Sequence, residues 1–244
     1  MHARLQDFAR ALRGDGLQLV APVSSGRAAA LWIGRGTAAR ALRGTATLVV
    51  CGSGGRAHWE TLAPAQQTRA HPIDAAGWAA IDRALPLLPP RSRRLPNDVA
   101  QSFDLRRLAE AAGFGKVSPY LHLLLHPEFG SWVSLRGVVA VPEPIGDVAP
   151  TDFDPCTSCD RPCLSSCPAA AYAPEQPFSA QRCGRHRLQE QRPAEPCADF
   201  CRVRLACPVG RDHAYSAAEY RHRHRANLAS IREYWAHRPP PTEP

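Results

Sequence analysis

The chain is poor in lysine and in methionine, and it has no long apolar run. Of its 30 basic residues only Lys116 is a lysine, and there is 1 methionine. No segment approaches the roughly 18 consecutive apolar residues of a membrane-spanning helix, so we expect no membrane partner. The first ten residues lack the apolar stretch of a secretory signal. We therefore expect a cytoplasmic protein whose thiols stay reduced.

The net charge is positive, +8 at neutral pH with an isoelectric point near 9.3. Such a balance is typical of proteins that bind nucleic acids. Arginine, alanine and proline are abundant along the whole chain, however, so much of this charge is expected on solvated surface. Only residues 221–225 form a dense basic run, and few aromatic residues lie near it for base stacking.

Cysteine, by contrast, is concentrated in one segment. Eight of the 9 cysteines lie between Cys156 and Pro208, and two of the cysteine runs end in Cys-Pro. Four thiolates complete one 4Fe–4S cluster, so eight thiolates make two sets. A closing Cys-Pro is typical of two-cluster bacterial ferredoxins, in which the cysteine before the proline ligates the other cluster. The sequence therefore predicts two 4Fe–4S clusters.

Two other interpretations of these cysteines stay open. A disulfide framework needs an oxidising compartment, which the sequence does not indicate. Structural zinc is the stronger alternative, because two sites with four thiolates each would also use eight cysteines. The first run places four cysteines within 12 residues, whereas zinc ligands usually form two short pairs with a longer spacer. The spacing favours clusters over zinc.

Apolar periodicity and turn residues divide the rest of the chain into helices and strands. Helices are predicted over residues 5–13, 73–88, 104–112 and within 214–235. Strands are predicted over residues 17–23, 28–33, 45–51 and 132–141. Cys51 ends one of these strands and is expected to be a small buried hydrophobe. Residues 142–155 are rich in proline and aspartate, which predicts a linker.

Arg136 stands inside an otherwise apolar strand. Burying an unpaired guanidinium is costly, so this side chain needs an anion or must face a cavity. Alternatively, it reaches the edge of the strand or pairs with a nearby carboxylate such as Glu128. The sequence supports both interpretations equally.

Residues 126–139 resemble a strand of the cyanocobalamin reductase/alkylcobalamin dealkylase family. That family carries the pattern His-Pro-x-Phe-Gly-Gly-Trp-Phe-x-x-Arg-Gly-Val-Val, and this chain reads His-Pro-Glu-Phe-Gly-Ser-Trp-Val-Ser-Leu-Arg-Gly-Val-Val. The main departure is Ser131, where the family has glycine. The alternative to a cofactor role for these side chains is ordinary packing. The resemblance implies a corrinoid-binding site that includes His126, Phe129, Gly130, Trp132 and Arg136.

The same stretch, followed by the cysteine segment, resembles the epoxyqueuosine reductase family of cobalamin- and iron–sulfur-dependent tRNA enzymes. Three motifs carry the resemblance: residues 109–116 (Ala-Glu-Ala-Ala-Gly-Phe-Gly-Lys), residues 129–132 (Phe-Gly-Ser-Trp), and the lone Arg-Cys at 182–183 between two Cys-Pro runs. The resemblance spans about residues 95 to 210, and more weakly the N-terminal strands and helices.

Both families share an α+β domain related to the flavin nitroreductase fold. The resemblance therefore implies a nitroreductase-like, corrinoid-binding α+β domain over residues 1–150, a two-cluster bacterial ferredoxin-like module over 151–212, and a helical basic tail over 213–244. Carried over by position, the ligands form two sets with one cysteine exchanged between the runs. One set is Cys156, Cys159, Cys163 and Cys207; the other is Cys167, Cys183, Cys197 and Cys201.

The chain also departs from the epoxyqueuosine reductase pattern. Its cysteine runs are looser, with the spacings Cys-x2-Cys-x3-Cys-x3-Cys-Pro and Cys-x3-Cys-x5-Cys-Pro. It ends about where that family's helical-repeat domain for tRNA docking should begin, so we do not expect tRNA as a partner. The family's general acid is an aspartate shortly before the Ala-Glu-x-Ala-Gly helix, which implies Asp98 as a catalytic acid. Its alternative is an exposed turn residue.

We therefore expect an iron–sulfur oxidoreductase that binds a corrinoid and receives electrons from a donor of the flavodoxin or ferredoxin reductase type. Low-potential clusters would reduce the cobalt and so remove its upper ligand. A first alternative is an epoxyqueuosine-reductase-like enzyme that reduces tRNA or another substrate. A second alternative is a ferredoxin-type electron carrier that binds no corrinoid. Corrinoid affinity and salt-dependent tRNA binding distinguish the three.

Overall fold

The computed structural model describes residues 2–68, 71–149, 151–172, 178–189, 197 and 199–236. Residues 237–244 of the predicted tail lie outside this part. The helices are α1 (Ala3–Arg13), α2 (Ser25–Ala29), α3 (Ala38–Ala41), α4 (Ala57–Glu60), α5 (Pro64–Gln67), α6 (Pro72–Ala84), α7 (Asn97–Ala100), α8 (Leu105–Ala111), α9 (Pro162–Ser165), α10 (Ala180–Gln189), α11 (Arg202–Ala206) and α12 (Ala217–Ala236). The strands are β1 (Leu19–Ser24), β2 (Thr47–Gly54), β3 (Arg93–Arg94), β4 (Lys116–Val117), β5 (Leu124–Leu125) and β6 (Val133–Val141).

An antiparallel sheet with the strand order β1-β2-β6-β3 forms the centre of the fold. Strand β2 is buried along its whole length, because its apolar residues alternate between two cores. Leu48 and Val50 face the core that contains residues of α2 and α8, whereas Val49 and Cys51 face the core that contains residues of α1 and α6. Cys51 is fully buried, as predicted from its place at the end of an apolar strand.

Most of the predicted elements are confirmed, with two differences. Residues 28–33 were predicted as a strand, but residues 25–29 form α2, and Trp32 makes only an isolated bridge to Phe103. Three consecutive alanines (28–30) have high helix propensity, which explains the difference. The predicted linker is anchored to the body over its first residues, because the backbone N–H of Ile145 donates to Thr47 Oγ1 and Arg27 pairs with Asp147.

The structure therefore has the mixed helix-and-sheet architecture expected from the sequence. The short helices α9, α10 and α11 carry or adjoin cysteines, and the long helix α12 packs through Tyr220 against the beginning of β6, where Trp132 lies. The nitroreductase-like and ferredoxin-like details, and the domain boundaries, stay predictions. None of the helices in the described ranges is both long and apolar enough to cross a membrane.

Candidate metal centre and its surroundings

All nine cysteines are free thiols, and the eight in the cysteine segment lie in two groups. The first thiol group lies at α9 and the end of α11. Burial raises the pKa of Cys163, and the nearby Cys207, Cys156 and Cys159 raise it further. The pKa of Cys207 is likewise raised by burial and then by thiols of the same group. The first thiol group comprises Cys156, Cys159, Cys163 and Cys207.

Hydrogen-bonding groups and apolar side chains surround the first thiol group. Ser118 Oγ lies 3.3 Å from Cys156 Sγ, and the backbone N–H of Arg161 donates to Cys159 Sγ at 3.4 Å. Leu121 and Leu125 cover the group from the side of the sheet domain. Hydrogen bonds to sulfur and exclusion of solvent are both means by which a protein sets the potential of an iron–sulfur cluster.

The second thiol group lines one cavity between α10, α11 and α12. Burial raises the pKa of Cys197 to about 11, and the neighbouring Cys201, Cys167 and Cys183 contribute in the same direction. Tyr172 and Phe200 form apolar walls of this cavity. The second thiol group comprises Cys167, Cys183, Cys197 and Cys201. Cys167 thus joins thiols of the second run, and Cys207 joins thiols of the first.

A buried arginine faces the second thiol group. Arg187 is only 6% exposed, and it donates to the side-chain oxygen of Asn227 at 2.6 Å and to the backbone oxygen of His224 at 2.9 Å. Burial lowers the pKa of Arg187, and Cys183, Cys201 and Cys197 oppose that effect. In the part of the chain that the structure describes, no carboxylate pairs with it. A buried cation requires an anion, and the thiols are the candidates here.

The arrangement of the thiols can be compared with the arrangement that a single metal ion requires and with the one that an iron–sulfur cluster requires. Over the described ranges, no three His, Cys, Asp or Glu side chains are arranged to hold one metal ion. In a 4Fe–4S cluster each of the four thiolates binds a different iron atom, so the sulfur atoms surround a cavity and do not converge on one point. Four thiols around a cavity, with a buried cation beside them, fit such a cluster.

A β-bulge positions Arg136. In the pairing of β2 with β6, Cys51 opposes Gly137 and Gly52 opposes Leu135, so Arg136 is the extra residue. A bulge redirects its side chain and often lies beside a functional site. Here the side chain passes over Gly77 of α6, where a Cβ would come within 3.2 Å of the arginine.

The partner of Arg136 is Asp74 and not Glu128. Its Nη1 donates to Asp74 Oδ1 at 2.6 Å, and its Nη2 donates to Ser134 Oγ. Burial and, secondarily, the nearby Arg223 lower the pKa of Arg136 to about 10, so it stays cationic at neutral pH. Of the two interpretations drawn from the sequence, pairing with a carboxylate describes this side chain. The sequence did not identify Asp74, because the two residues are 62 positions apart.

Helix α12 adds a second buried ion pair beside Arg136. Arg223 donates to Glu219 Oε1 at 2.9 Å and to Ser134 Oγ at 3.0 Å, and Glu219 is fully buried. Three buried polar atoms in this area have no hydrogen-bond partner among the described residues: Trp132 Nε1, Arg136 Nε and Glu219 Oε2. Each such atom costs roughly 1–3 kcal/mol, so unmet hydrogen-bonding capacity is concentrated here.

Three of the residues predicted to bind a corrinoid are engaged in packing. Trp132 is 1% exposed and packs edge-on against Tyr215 and Tyr220 at centroid distances of 5.3 and 5.5 Å. Phe129 packs at a tilt against the ring of His126 and edge-on against the ring of His213, at centroid distances of 4.8 and 4.9 Å. Gly130 has a φ of +54°, and a Cβ there would overlap the carbonyl oxygen of Val209. These residues join the sheet to the cysteine segment.

The groove beside Arg136, as described here, is too small for a corrinoid. The groove beside Arg136, lined also by Asp74 and Trp78, has a volume of about 210 Å³. Pockets for drug-sized ligands have volumes of roughly 300–1,000 Å³, and a corrinoid is larger than such ligands. The unpartnered polar atoms could serve its amide groups, but the space is too small. Corrinoid binding by the predicted residues therefore stays a prediction.

His126 organises the turn that precedes β6. Its Nδ1 accepts hydrogen bonds from the backbone N–H groups of Glu128 and Phe129, at 3.0 and 3.2 Å. Burial is the largest cause that lowers the pKa of His126. A ring nitrogen accepts only when it is unprotonated, so the neutral imidazole holds this turn.

We expect acid to weaken this turn. The pKa of His126 in the folded state is below its unfolded value of about 6.5. Its contribution to stability is therefore present above the unfolded value and is lost as the pH falls from there through the lower, folded-state pKa. In His126→Asn the side-chain oxygen can still accept but does not titrate. Anaerobic denaturant unfolding at pH 7.5 and pH 5.0 should show a larger drop in unfolding free energy for the wild type than for the variant. Equal drops would contradict this role.

Asp98 lies on the exposed first turn of α7. Its backbone oxygen accepts a hydrogen bond from Ser102 Oγ at 2.9 Å. The neighbouring Asn97 and Gln101 line the same small groove as Arg136. Its role as an acid stays a prediction, and its position near that groove is compatible with it.

A groove that the sequence did not indicate lies between α5 and α12. Its volume is about 680 Å³, and its basic lining includes Arg221, Arg225, His71 and His222. Arg221 and Arg225 share one carboxylate, Asp199, at 3.0 and 3.3 Å, so the trio keeps a net positive charge. The basic run at 221–225 was visible in the sequence, but its position opposite α5 depends on tertiary packing. We call this feature the α12 groove.

Comparison with known proteins identifies structural relatives only. No protein-family model matches the chain, and no curated protein matches it in sequence. Epoxyqueuosine reductase from Streptococcus thermophilus has a TM-score of 0.59 at 15% identity, over 86% of this chain and 67% of that one. An epoxyqueuosine reductase with an epoxyqueuosine-modified tRNA-Tyr stem loop has a TM-score of 0.60 at 17% identity, over 89% and 68%. A catabolic reductive dehalogenase has a TM-score of 0.57 at 16% identity, over 90% and 34%.

One expectation from the sequence is wrong. We did not expect tRNA as a partner, because the chain ends about where a docking domain should begin. The structure of an epoxyqueuosine reductase with a tRNA stem loop shares this fold over most of the present chain, and that overturns the expectation. The chain spans about two thirds of the reductases and about one third of the dehalogenase. At these identities the likeness shows that this chain has the fold of epoxyqueuosine reductase.

Proposed function

We propose that this chain is an iron–sulfur reductase of the epoxyqueuosine reductase type, with one 4Fe–4S cluster on each thiol group. The observation that carries the proposal is that eight cysteines, distributed over 52 positions of sequence, meet as two groups of four around separate centres. Its substrate would be a modified nucleoside of RNA or a chemically similar electrophile. The shared fold with epoxyqueuosine reductase supports this class over simple electron carriage.

Each part of the chain has a distinct task in this proposal. When bound, clusters of this kind accept and donate single electrons at low potential. The thiolates hold them, and the apolar side chains Leu121, Tyr172 and Phe200 limit access of water. Arg187 offsets the negative charge of the second site, and backbone N–H groups donate to Cys159 and Cys167.

The α12 groove is the candidate approach for an RNA substrate. It lies next to the second thiol group, because Arg221 of its wall pairs with Asp199, which stands between Cys197 and Cys201 in the sequence. On the same helix, His224 contacts the backbone oxygen of Cys197 at 2.9 Å. Its positive lining suits a phosphate backbone. A substrate in this groove would lie close to a cluster on the second thiol group, from which it would receive electrons.

A direct assay tests the proposal. Anaerobically purified protein would be reduced with titanium(III) citrate and mixed with a stem loop that carries epoxyqueuosine, with and without hydroxocobalamin. Loss of one oxygen atom from the nucleoside, measured by mass spectrometry, is the expected result. Intact epoxyqueuosine with protein that contains both clusters and binds the stem loop would contradict the proposed substrate.

Corrinoid reduction is a second candidate function, supported by the match of residues 126–139 to the dealkylase pattern. It requires a corrinoid to bind, and the present arrangement offers no sufficient space beside Arg136. A titration with hydroxocobalamin, followed by its visible spectrum, decides the matter. A saturable spectral change that is lost in Trp132→Ala but kept in Ile33→Ala, which removes an exposed side chain outside this groove, would support this function, and an unchanged spectrum would exclude it.

The charge of Arg187 gives a prediction for the second cluster. Removing a nearby positive charge makes reduction harder, so Arg187→Gln should lower the reduction potential of one cluster. A lost interaction of about 1.4 kcal/mol corresponds to roughly 60 mV for one electron. Arg182→Gln is the matched control, because Arg182 is on the same helix, is exposed, and bonds to the backbone oxygen of Ala170.

The measurement is a redox titration followed by electron paramagnetic resonance. One of the two clusters should shift in Arg187→Gln, whereas both should keep their potentials in Arg182→Gln. A potential unchanged in both variants would show that Arg187 does not face a cluster.

A further inference from the structure

A second basic groove lies far from the cysteines. Arg43, Arg91 and Arg93 line it together with Thr45 and Pro142, and its volume is about 540 Å³. The groove is bounded by the loop before β2, by β3 and by the end of β6. It has no part in the site described above.

The charge of this groove is uncompensated. Most ion pairs of the protein join arginine to aspartate or glutamate, as in Arg94 with Asp82. Within the described residues, Arg43, Arg91 and Arg93 have no ion pair, and no acidic side chain lines the groove. Three exposed guanidinium groups that line one groove without a carboxylate make it electropositive, which favours an anionic ligand.

A buried hydroxyl at the same place is also unpartnered. Thr45 lines the groove, and its Oγ1 is inaccessible to solvent and has no hydrogen-bond partner among the described residues. Leaving a buried hydroxyl without a partner is unfavourable, and a rotation of the half-exposed Thr45 side chain would let this hydroxyl donate to an anion in the groove.

The backbone holds two of the arginines in place. Arg91 has a φ of +67°, which is uncommon for a residue with a side chain. Ser92 holds this turn, because its backbone N–H and its hydroxyl both bond to the carbonyl oxygen of Pro89, at 3.1 and 2.6 Å. Arg93 belongs to β3 and opposes Ala140 of β6. The turn thus keeps Arg91 next to a strand residue of fixed position.

We infer that this arginine groove binds a phosphate group, either as a free anion or within an RNA backbone. Guanidinium groups match phosphate oxygens by paired, charge-assisted hydrogen bonds. The groove lies at the end of β6, whereas Gly130 and Trp132, at the beginning of β6, contact the cysteine segment. With nine residues in β6 at about 3.3 Å each, the separation is roughly 30 Å. A polynucleotide that touches both the arginine groove and the cysteine segment would need about that reach.

The test compares two variants of the cluster-loaded, full-length protein. The first is the double variant Arg43→Gln/Arg93→Gln, which removes two groove cations that are exposed and carry no ion pair. The second is the control Arg35→Gln, which removes an exposed arginine outside the groove. Iron content and circular dichroism establish that both variants fold. Binding is measured by calorimetry with inorganic phosphate, and by fluorescence anisotropy with an unmodified RNA stem loop at several salt concentrations.

We expect inorganic phosphate to bind the wild type and Arg35→Gln equally, and the double variant at least tenfold more weakly. If the groove also binds an RNA phosphate, the affinity for RNA should depend less steeply on salt in the double variant. The slope of log affinity against log salt should fall by about one for each phosphate that a substituted arginine no longer neutralises. Loss of phosphate binding with unchanged RNA binding would assign the groove to a free phosphate. Equal binding of both probes to all three proteins, or binding of neither, would overturn the inference.

Discussion

Anaerobically purified Cys201→Ala is expected to contain about half of the wild-type iron and sulfide. The wild type should hold roughly eight iron atoms, and removing one ligand of the second thiol group should leave roughly four. Cys201 lies between Tyr220 and Phe200 in an apolar setting, so no water-rich side can supply a substitute ligand. Metal analysis and sulfide assay measure the result. Cys51→Ala is the control, because that thiol lies in the sheet core, and it should keep all of the iron.

Double variants test the exchange of cysteines between the two groups. Cys167→Ala/Cys201→Ala removes two ligands of the second group and should still keep about four iron atoms. Cys163→Ala/Cys201→Ala removes one ligand from each group and should lose nearly all iron. Equal iron contents in the two double variants would contradict the grouping. Zinc in place of iron in the wild type would contradict the cluster proposal itself.

The concentration of cysteines in one segment could be read from the sequence, because cluster ligands follow local spacing patterns, whereas their division into two sets was implied by the family resemblance. Four cysteines within 12 residues and two Cys-Pro endings were visible without a structure. The environment of the groups was not visible. Arg187 meets the second group through contacts to Asn227 and His224, 40 and 37 positions away. Such long-range pairs leave no periodic or local signal in the sequence.

The C-terminal helix shows the same limit. Its run of arginine and histidine at 221–225 favours a solvated basic tail. In the structure the same helix buries Glu219 and Tyr220 against β6, while Arg223 turns inward to Ser134. Arginine can cover apolar surface with its stem and place its charge on a partner, so charge alone does not predict exposure. Whether a corrinoid site can form near Trp132 depends on the position of this helix.

The strand motif was predicted correctly as a strand, and the structure adds contacts of its polar side chains that the sequence did not identify. His126 caps a turn, and Arg136 pairs with Asp74. Both side chains could be singled out because polar residues in an apolar segment require partners. The partner of Arg136 depends on the bulge at that residue and on the position of α6 beside it. The sequence indicates neither of these features.

Gly130→Ala is expected to separate the cysteine segment from the sheet. The backbone at Gly130 passes directly against Val209 and Gly210, and a Cβ at either glycine would overlap backbone atoms of the other segment. Backbone atoms cannot move aside by a rotamer change, so the two segments must shift apart. Gly36 provides a matched control, because its φ of +82° is also left-handed but a Cβ there would meet open space.

Comparison with Gly36→Ala separates the cost of the left-handed backbone from the cost of the steric overlap. Gly36→Ala should cost only the roughly 1 kcal/mol of placing alanine in a left-handed conformation. Gly130→Ala adds the overlap and should cost roughly 3 kcal/mol or more, together with loss of iron from the first thiol group, whose Cys207 lies two residues before Val209. Anaerobic denaturant unfolding and iron analysis of the two variants provide the comparison. The left-handed backbone is common to both sites, so it cannot account for a difference between the two variants. Equal stability and full iron in both would mean that the contact between Gly130 and Val209 does not hold the cysteine segment on the sheet.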